Sequence, residues 1–351
     1  MKKELLAKQL ISELNEKEWK DLENGTPGVP VSLYNRRTLL DLREDDGEFS
    51  GECPESPGRG GPEALRRALE EYLAETWPEE PAAHRYVILA CLAQAYLYEK
   101  PLHPEPIVKY RTVVRDGRAE YYCPAREPEG SVCAFCPARP MAALEAEQEE
   151  RLAAVRQEYG ELSAGIWRQA MEAGFPACGM LDPQKLSFHE EIRKICESGC
   201  RSYGKTWACP PAVGTVDECR ERVRSYGKML LFSRAYLLED SLDMAGAGRA
   251  MTDFRIRARE LGRRLRDPSI EVSAGVSGGA SIGDFRILSN ESCDVCGKCA
   301  YPDAPCRRPD QMHHSIEGYG FVVSDLAKEA GIPYMNGKNT VTFFGAVLYG
   351  K

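Results

Sequence analysis

Four cysteines, Cys293, Cys296, Cys299 and Cys306, stand in the run CDVCGKCAYPDAPC near the C-terminus, and no other stretch constrains the fold so tightly. Three thiols at successive two-residue gaps call for a loop that curls around one centre and turns its backbone N–H groups toward the sulfurs. The chain holds 14 cysteines in all. A reducing compartment is expected, where disulfides do not persist, so metal ligation is the use that remains for most of them.

The spacing resembles the bacterial ferredoxin run C-x2-C-x2-C-x3-C-P. Here the fourth cysteine follows after six residues, and Pro305 precedes it. An iron-sulfur loop outside an ordinary ferredoxin domain is therefore expected. A zinc knot built from paired Cys-x2-Cys units is the competing reading. The triple overlapping spacing suits a cube of iron and sulfide better than a single tetrahedral ion.

A second set, Cys196, Cys200 and Cys209, lies upstream in RKICESGCRSYGKTWACPP. Ser187 and Glu190 form a capping-box pattern that predicts a helix from Phe188 to about Ser198, stopped by Gly199. Cys196 then falls in the last turn and Cys200 just beyond it. Pro210 and Pro211 predict an extended chain after Cys209. These seven cysteines are the expected ligands of one or two 4Fe-4S clusters. Two clusters need an eighth ligand, and Cys178 is the candidate; alternatively Cys306 completes the upstream set and leaves one iron open beside Cys293, Cys296 and Cys299.

From about Cys178 to the end the chain resembles the family described as "predicted metal-binding protein", domain of unknown function 2284. The matching residues are Cys196, Cys200, Tyr203, Gly204, the Cys209-Pro210-Pro211 turn, Cys293 to Cys299, Pro305-Cys306-Arg307, Ser315-Ile316-Glu317 and the tail NTVTFFGAVLY. Asn290, Glu291 and Ser292 stand where the resemblance leads one to expect a glycine-rich approach to the first cysteine. The family implies a metal site and supplies no reaction.

The N-terminal half carries a third set, Cys123, Cys133 and Cys136, in YYCPAREPEGSVCAFCPARP. With the helical sequence before it, this part is similar to an archaeal family of uncharacterised proteins with a YCP...C-x2-C-P signature. A further cluster or a zinc ion is expected there. The fourth ligand is sought among Cys53, Cys91 and His103; Cys91 sits in the all-apolar HRYVILACLAQAYLY and reads as a buried helix residue.

The fold class expected is α+β, a mostly helical domain over residues 1–175 followed by a mixed iron-sulfur domain over 176–351. GPEALRRALEEYLAETW predicts a helix opened by Pro62, with Leu65, Leu69, Tyr72 and Leu73 on one face. One long helix is expected from Met141 to about Ala173, interrupted at Gly160, either joining the domains or serving as a core helix of the first. Thr215 and Glu218 predict a capped helix that carries Cys219 as a packing residue. Strands are expected at MLLFSRAYL, SIEVSAGV and TVTFFGAVLY, and helices at about 248–266 and 315–330. SAGVSGGASIG reads as a hairpin, since it lacks the P-loop lysine. Seven arginines between Arg249 and Arg266 read as a solvated face or as a dock for an acidic electron carrier, and His313 and His314 as a surface pair.

The net charge of −8 argues against nucleic acid as a partner, because phosphate binding needs a dominant basic face. The longest apolar run, Tyr86 to Leu97, is too short to span a bilayer, and the N-terminus reads as an amphipathic helix, so a cytoplasmic place without membrane attachment is expected. The functions in view are electron transfer in an anaerobic system with a redox protein partner, an enzyme with an open iron for desulfurisation or dehydration, and a metal chaperone or zinc module.

Overall fold

Asn15 accepts hydrogen bonds from the N–H groups of Lys17 and Glu18 while Glu18 returns one to Asn15 N, and Ser32 accepts from Asn35 N; these caps set where the second and third helices begin. The computed structural model describes residues 1–45, 49–54, 60–105, 107–125, 132–267, 282–290 and 292–350. Among these the chain forms two compact units, one of Met1–Thr112 with Glu120–Ala146 and one of Val113–Ala119 with Glu147–Lys351. The division at 146/147 lies inside a helix, upstream of the expected 175/176, because Leu152, Val155, Ile166 and Trp167 of the long helical stretch pack into the second unit's core.

In the first unit α1 (Lys3–Ser12), α2 (Glu16–Asn24), α3 (Leu33–Glu44) and α4 (Pro62–Thr76) surround α5 (Pro81–Tyr96). Leu6, Leu10, Trp19, Leu22, Leu39, Leu42, Leu65 and Leu69 close on Leu89, Leu92 and Tyr96. A helix apolar on every side must lie at the centre of a bundle, and α5 does. On α4 the leucines are buried as expected, whereas Tyr72 is 51% exposed. The chain leaves the bundle through β1 (Arg111–Arg115) and β2 (Arg118–Cys123), and β3 (Arg139–Pro140) pairs parallel with β2.

The helix that carries the division, α6 (Met141–Tyr159), is followed in the second unit by α7 (Glu161–Glu172), the two broken at Gly160, whose φ of 88° no helix accommodates. Then come β4 (Ala177–Leu181), α8 (Glu190–Gly199), α9 (Val216–Arg224), β5 (Lys228–Leu237), α10 (Met244–Arg266), β6 (Arg286–Ser289), β7 (His314–Ser315), α11 (Val323–Glu329) and β8 (Thr340–Tyr349). The sheet order is β4-β5-β8-β6-β7; every pair is antiparallel except β6 with β7. Period-two alternation sends Leu230, Phe232, Val347 and Tyr349 to the face covered by α7 and α10, and Met229, Leu231, Ala346 and Leu348 to the face covered by α9 and α11. The helical N-terminal region and the mixed C-terminal region together make the α+β class.

The predicted strands at 229 and 340 form, and Thr215 with Glu218 forms the predicted capping box. Residues 268–281, which hold the third expected strand and most of the glycine-rich hairpin, lie outside the described residues. Two helices are corrected. α8 starts at Glu190 behind an uncapped His189, so Ser187 caps nothing. The helix expected over 315–330 is only α11, because Ser315 Oγ accepts from Gly318 N and Gly320 takes φ 82°, which turns the chain before the helix can start.

Gly345 on β8 faces Phe232 across the ladder, and a β-carbon there would stand 2.5 Å from Phe232 Cζ and 2.8 Å from Leu288 O. Gly345→Ala should lower stability by about 1–3 kcal/mol through overpacking. An unchanged urea midpoint would show that the ring shifts freely and that this contact does not set the strand spacing.

Candidate metal centre

The run CDVCGKCAYPDAPC folds as the long connection between β6 and β7. Cys293, Cys296, Cys299 and Cys306 all line one cavity of about 410 Å³, opposite Gly204, Lys205, Thr206 and Trp207 of the loop that carries Cys209. Val295 N–H donates to the Cys293 sulfur, the backbone-to-sulfur contact that the spacing implies. Burial pushes the Cys293 thiol up, and the charges of Asp294 and Cys306 add to this.

Three contacts hold the loop. Asp294 accepts from Arg259 and lies 3.6 Å from Arg255 Nη1, both on α10. Trp207 Nε1 donates to Ala304 O at 3.0 Å, and its ring meets Tyr301 edge-on with centroids 4.9 Å apart. Arg307 donates to Lys298 O at 2.8 Å. Lys205, Lys298, Arg307 and Arg308, all exposed, make the cavity's surroundings cationic.

The second set gathers where α8 ends. Cys196 is in its last turn and Cys200 is its C-terminal cap, as expected. Gly204 N donates to Pro210 O and Gly214 N to Pro211 O, so the chain turns after Cys209 instead of running extended. Cys209 is buried, and its thiol is pushed up to about 11 by burial first and then by Cys200, Cys196 and Glu317. Cys196 shifts the same way, through burial and then Cys200 and Glu317. Thiolates that repel one another and a carboxylate favour a cation between them.

Cys178 joins neither set. It lies on β4 inside the apolar cluster of Phe175, Phe232 and Phe254, where its thiol donates to Phe175 O at 3.7 Å and burial raises its pKa. Cys306 shares the cavity of Cys293, Cys296 and Cys299, so its place is beside them and not with the upstream set. Cys219 is a buried packing residue on α9, as read from the sequence.

In the first unit Cys123 ends β2, Cys133 lies in the 3-10 turn Val132–Phe135, and Cys136 follows it. Cys136 N donates to Cys133 O at 3.1 Å. Cys91 on α5 is pushed up to about 12 by burial and then by the charge of Cys136. The neighbours that act on the Cys53 thiol are instead the N-terminal amine, Lys3 and Glu52. His103 is exposed, with its carbonyl accepting from Tyr110.

Four soft sulfur donors around one cavity form the donor set of iron-sulfur clusters and of structural zinc. Among the described residues no three His, Cys, Asp or Glu side chains stand close enough to hold a metal ion as they are placed. Sequence reading gave no role to Asp294, which stands between Cys293 and Cys296, and noted Glu317 only within the matching run Ser315-Ile316-Glu317.

The histidine pair is not on the surface. His313 is 9% exposed, and His314 Nδ1 is 2.8 Å from Tyr319 Oη, which accepts from Arg222 Nη1 at 3.1 Å. Five of the seven arginines between Arg249 and Arg266 are engaged with acids: Arg255 and Arg259 with Asp294, Arg257 with Asp253, Arg263 with Glu260, and Arg264 with Glu172. No helix among the described residues is long and apolar enough to cross a membrane.

Residues 179–349 match the family described as "Predicted metal-binding protein", domain of unknown function 2284, a stretch that holds both cysteine sets of the second unit. Residues 30–141 match a family described as "Uncharacterized protein conserved in archaea", domain of unknown function 2115. The first match supports metal binding by the second unit. No curated protein and no solved structure matches the chain.

His314 sits with a pKa near 3, against 6.5 when free, because burial and then the charges of Arg286 and Arg222 disfavour its protonated form. The unfolded chain binds that proton more readily, so the stability tied to neutral His314 is complete above pH 6.5 and is lost as pH falls toward 3. His314→Gln should flatten the fall of the thermal midpoint between about pH 6.5 and 4. Parallel pH profiles for the two proteins would mean that His314 is not a source of acid sensitivity.

Proposed function

We propose that the second unit is an iron-sulfur protein that transfers electrons, with Cys293, Cys296, Cys299 and Cys306 holding a 4Fe-4S cluster. The observation that carries this reading is that all four thiols of the loop line one cavity. A cluster held by four thiolates supplies one-electron uptake and release at a potential tuned by hydrogen bonds and nearby charge. The chain's own residues perform the tuning. Val295 N–H donates to a ligand sulfur, Asp294 fixes the loop on α10, and Trp207 with Tyr301 covers one side. Lys205, Lys298, Arg307 and Arg308 offer an acidic redox partner a cationic approach, whereas most of the α10 arginines are already engaged. A cytoplasmic, anaerobic setting agrees with thiols kept reduced.

Anaerobic reconstitution should give a brown protein with matching iron and acid-labile sulfide. Cys296→Ser should remove about half of both if two clusters form, and nearly all if one does. Zinc without sulfide would overturn the reading and leave a zinc module in its place.

For the first unit we propose a second kind of site, zinc or a cluster, in which Cys91 joins Cys123, Cys133 and Cys136. The influence of Cys136 on the Cys91 thiol supports this, and it favours Cys91 over Cys53. Cys91→Ser should lower the metal content further than Cys53→Ser does, read by elemental analysis of the full chain. Equal metal in Cys91→Ser and the parent protein would return Cys91 to the helix core as a packing residue.

A further inference from the structure

The upstream cysteine set has three thiols and, once Cys178 and Cys306 are placed elsewhere, no fourth. The structure brings a different donor to it. Residues 315–320 form a tight turn clamped against α8 and the Cys209 loop from several sides. Ser315 N donates to Ala208 O at 2.8 Å, the residue just before Cys209, and His189 N donates to Gly320 O at 2.8 Å. Arg193 of α8 reaches across to donate to both Gly318 O and Gly214 O. The fit is close: a β-carbon on Gly318 would stand 3.2 Å from Pro210 Cδ. Glu317 is carried by this turn, and Ser315 Oγ donates to its Oε2 at 2.8 Å while accepting from Gly318 N at 3.1 Å. The 3-10 turn Glu317–Tyr319 packs on α8, whose last turn carries Cys196, and the Ser315 N bond to Ala208 O sets the same segment beside Cys209.

We propose that Glu317 is the fourth ligand of a second metal centre, completing Cys196, Cys200 and Cys209 as three thiolates and one carboxylate. The proposal rests on the reading that the upstream set binds metal, and it adds the residue that closes the set. A carboxylate oxygen is a harder and more weakly held donor to iron than a thiolate. The two centres of the unit therefore differ in kind: the loop centre is ligated by sulfur throughout, and the upstream centre has one corner that a stronger donor can displace. Ser315 and the clamp from Arg193 are positioning residues that hold the carboxylate at that corner.

The test uses the full chain, reconstituted anaerobically with iron and sulfide alone. Cys200→Ser first establishes whether the upstream set binds iron, and Cys296→Ser isolates its spectrum from that of the loop centre. In the Cys296→Ser background, Glu317→Gln keeps an acceptor for Ser315 Oγ but removes the charged donor, so the fold should persist by circular dichroism. It should lose half or more of the remaining iron or change its electron paramagnetic resonance signal. Glu317→Cys should restore the iron with an all-thiolate signal. Iron and spectrum unaltered in Glu317→Gln would overturn the proposal while leaving the iron-sulfur reading intact. No iron lost in Cys200→Ser would overturn both the proposal and the presence of an upstream centre, without touching the loop centre.

Discussion

Two parallel neighbours in a sheet cannot be joined by a tight turn; the chain must travel back along the sheet before it can run the same way again, and a helix is the usual crossover. Between β6 and β7 that return is made by residues 290–313, the stretch that carries the four loop cysteines. The edge of the sheet depends on this segment, and the segment buries little apolar surface of its own. Its order comes from outside: from Asp294 on the arginines of α10, from Trp207 on Tyr301 and Ala304, and, on the proposed reading, from metal. Where ligands belong to a crossover, binding and folding share one free energy, so metal loss would loosen the β6–β7 edge before it disturbed β4, β5 and β8.

The charge distribution follows the same logic. The chain as a whole is acidic, with a net charge of −8, yet lysines and arginines surround the loop cavity. Thiolates gathered in a half-buried place need compensating positive charge, and a bound metal would supply only part of it. The arginines of α10, conspicuous in the sequence as a block, are mostly engaged with Asp294, Asp253, Glu260 and Glu172. Arg255 and Arg259 support the loop through Asp294, and the exposed rim carries Lys205, Lys298, Arg307 and Arg308.

Regular elements were legible where one local signal decided them. β8 shows as a bounded apolar run in TVTFFGAVLY, α9 carries a complete capping box, and α5 announces burial by being apolar all round. The segment after β7 was not legible, since helix propensity over 315–330 says nothing of a serine hydroxyl that captures Gly318 N or of a left-handed Gly320. The cysteines of the loop could be grouped by spacing, but the company of Cys306 could not, because the six intervening residues AYPDAP permit either centre. The parts proposed for Cys91 and Glu317 could not be read from spacing, because each stands far in sequence from the cysteines it would join. His313 and His314 looked like surface residues because polar sequence surrounds them; burial comes from Arg222, Tyr319 and α10, none of them adjacent in sequence.

The indole of Trp207 touches the cavity wall, bonds Ala304 and meets Tyr301 edge-on, whereas Trp19 and Trp167 lie in the apolar cores. Its emission is therefore an optical gauge built into the loop. Iron-sulfur absorption overlaps indole fluorescence, so filling of the cavity would dim Trp207, which lines it, and a Trp207→Phe protein would supply the blank for Trp19, Trp77 and Trp167. The same residue that braces the crossover lets its occupancy be followed in real time, without a label and without opening the anaerobic cell.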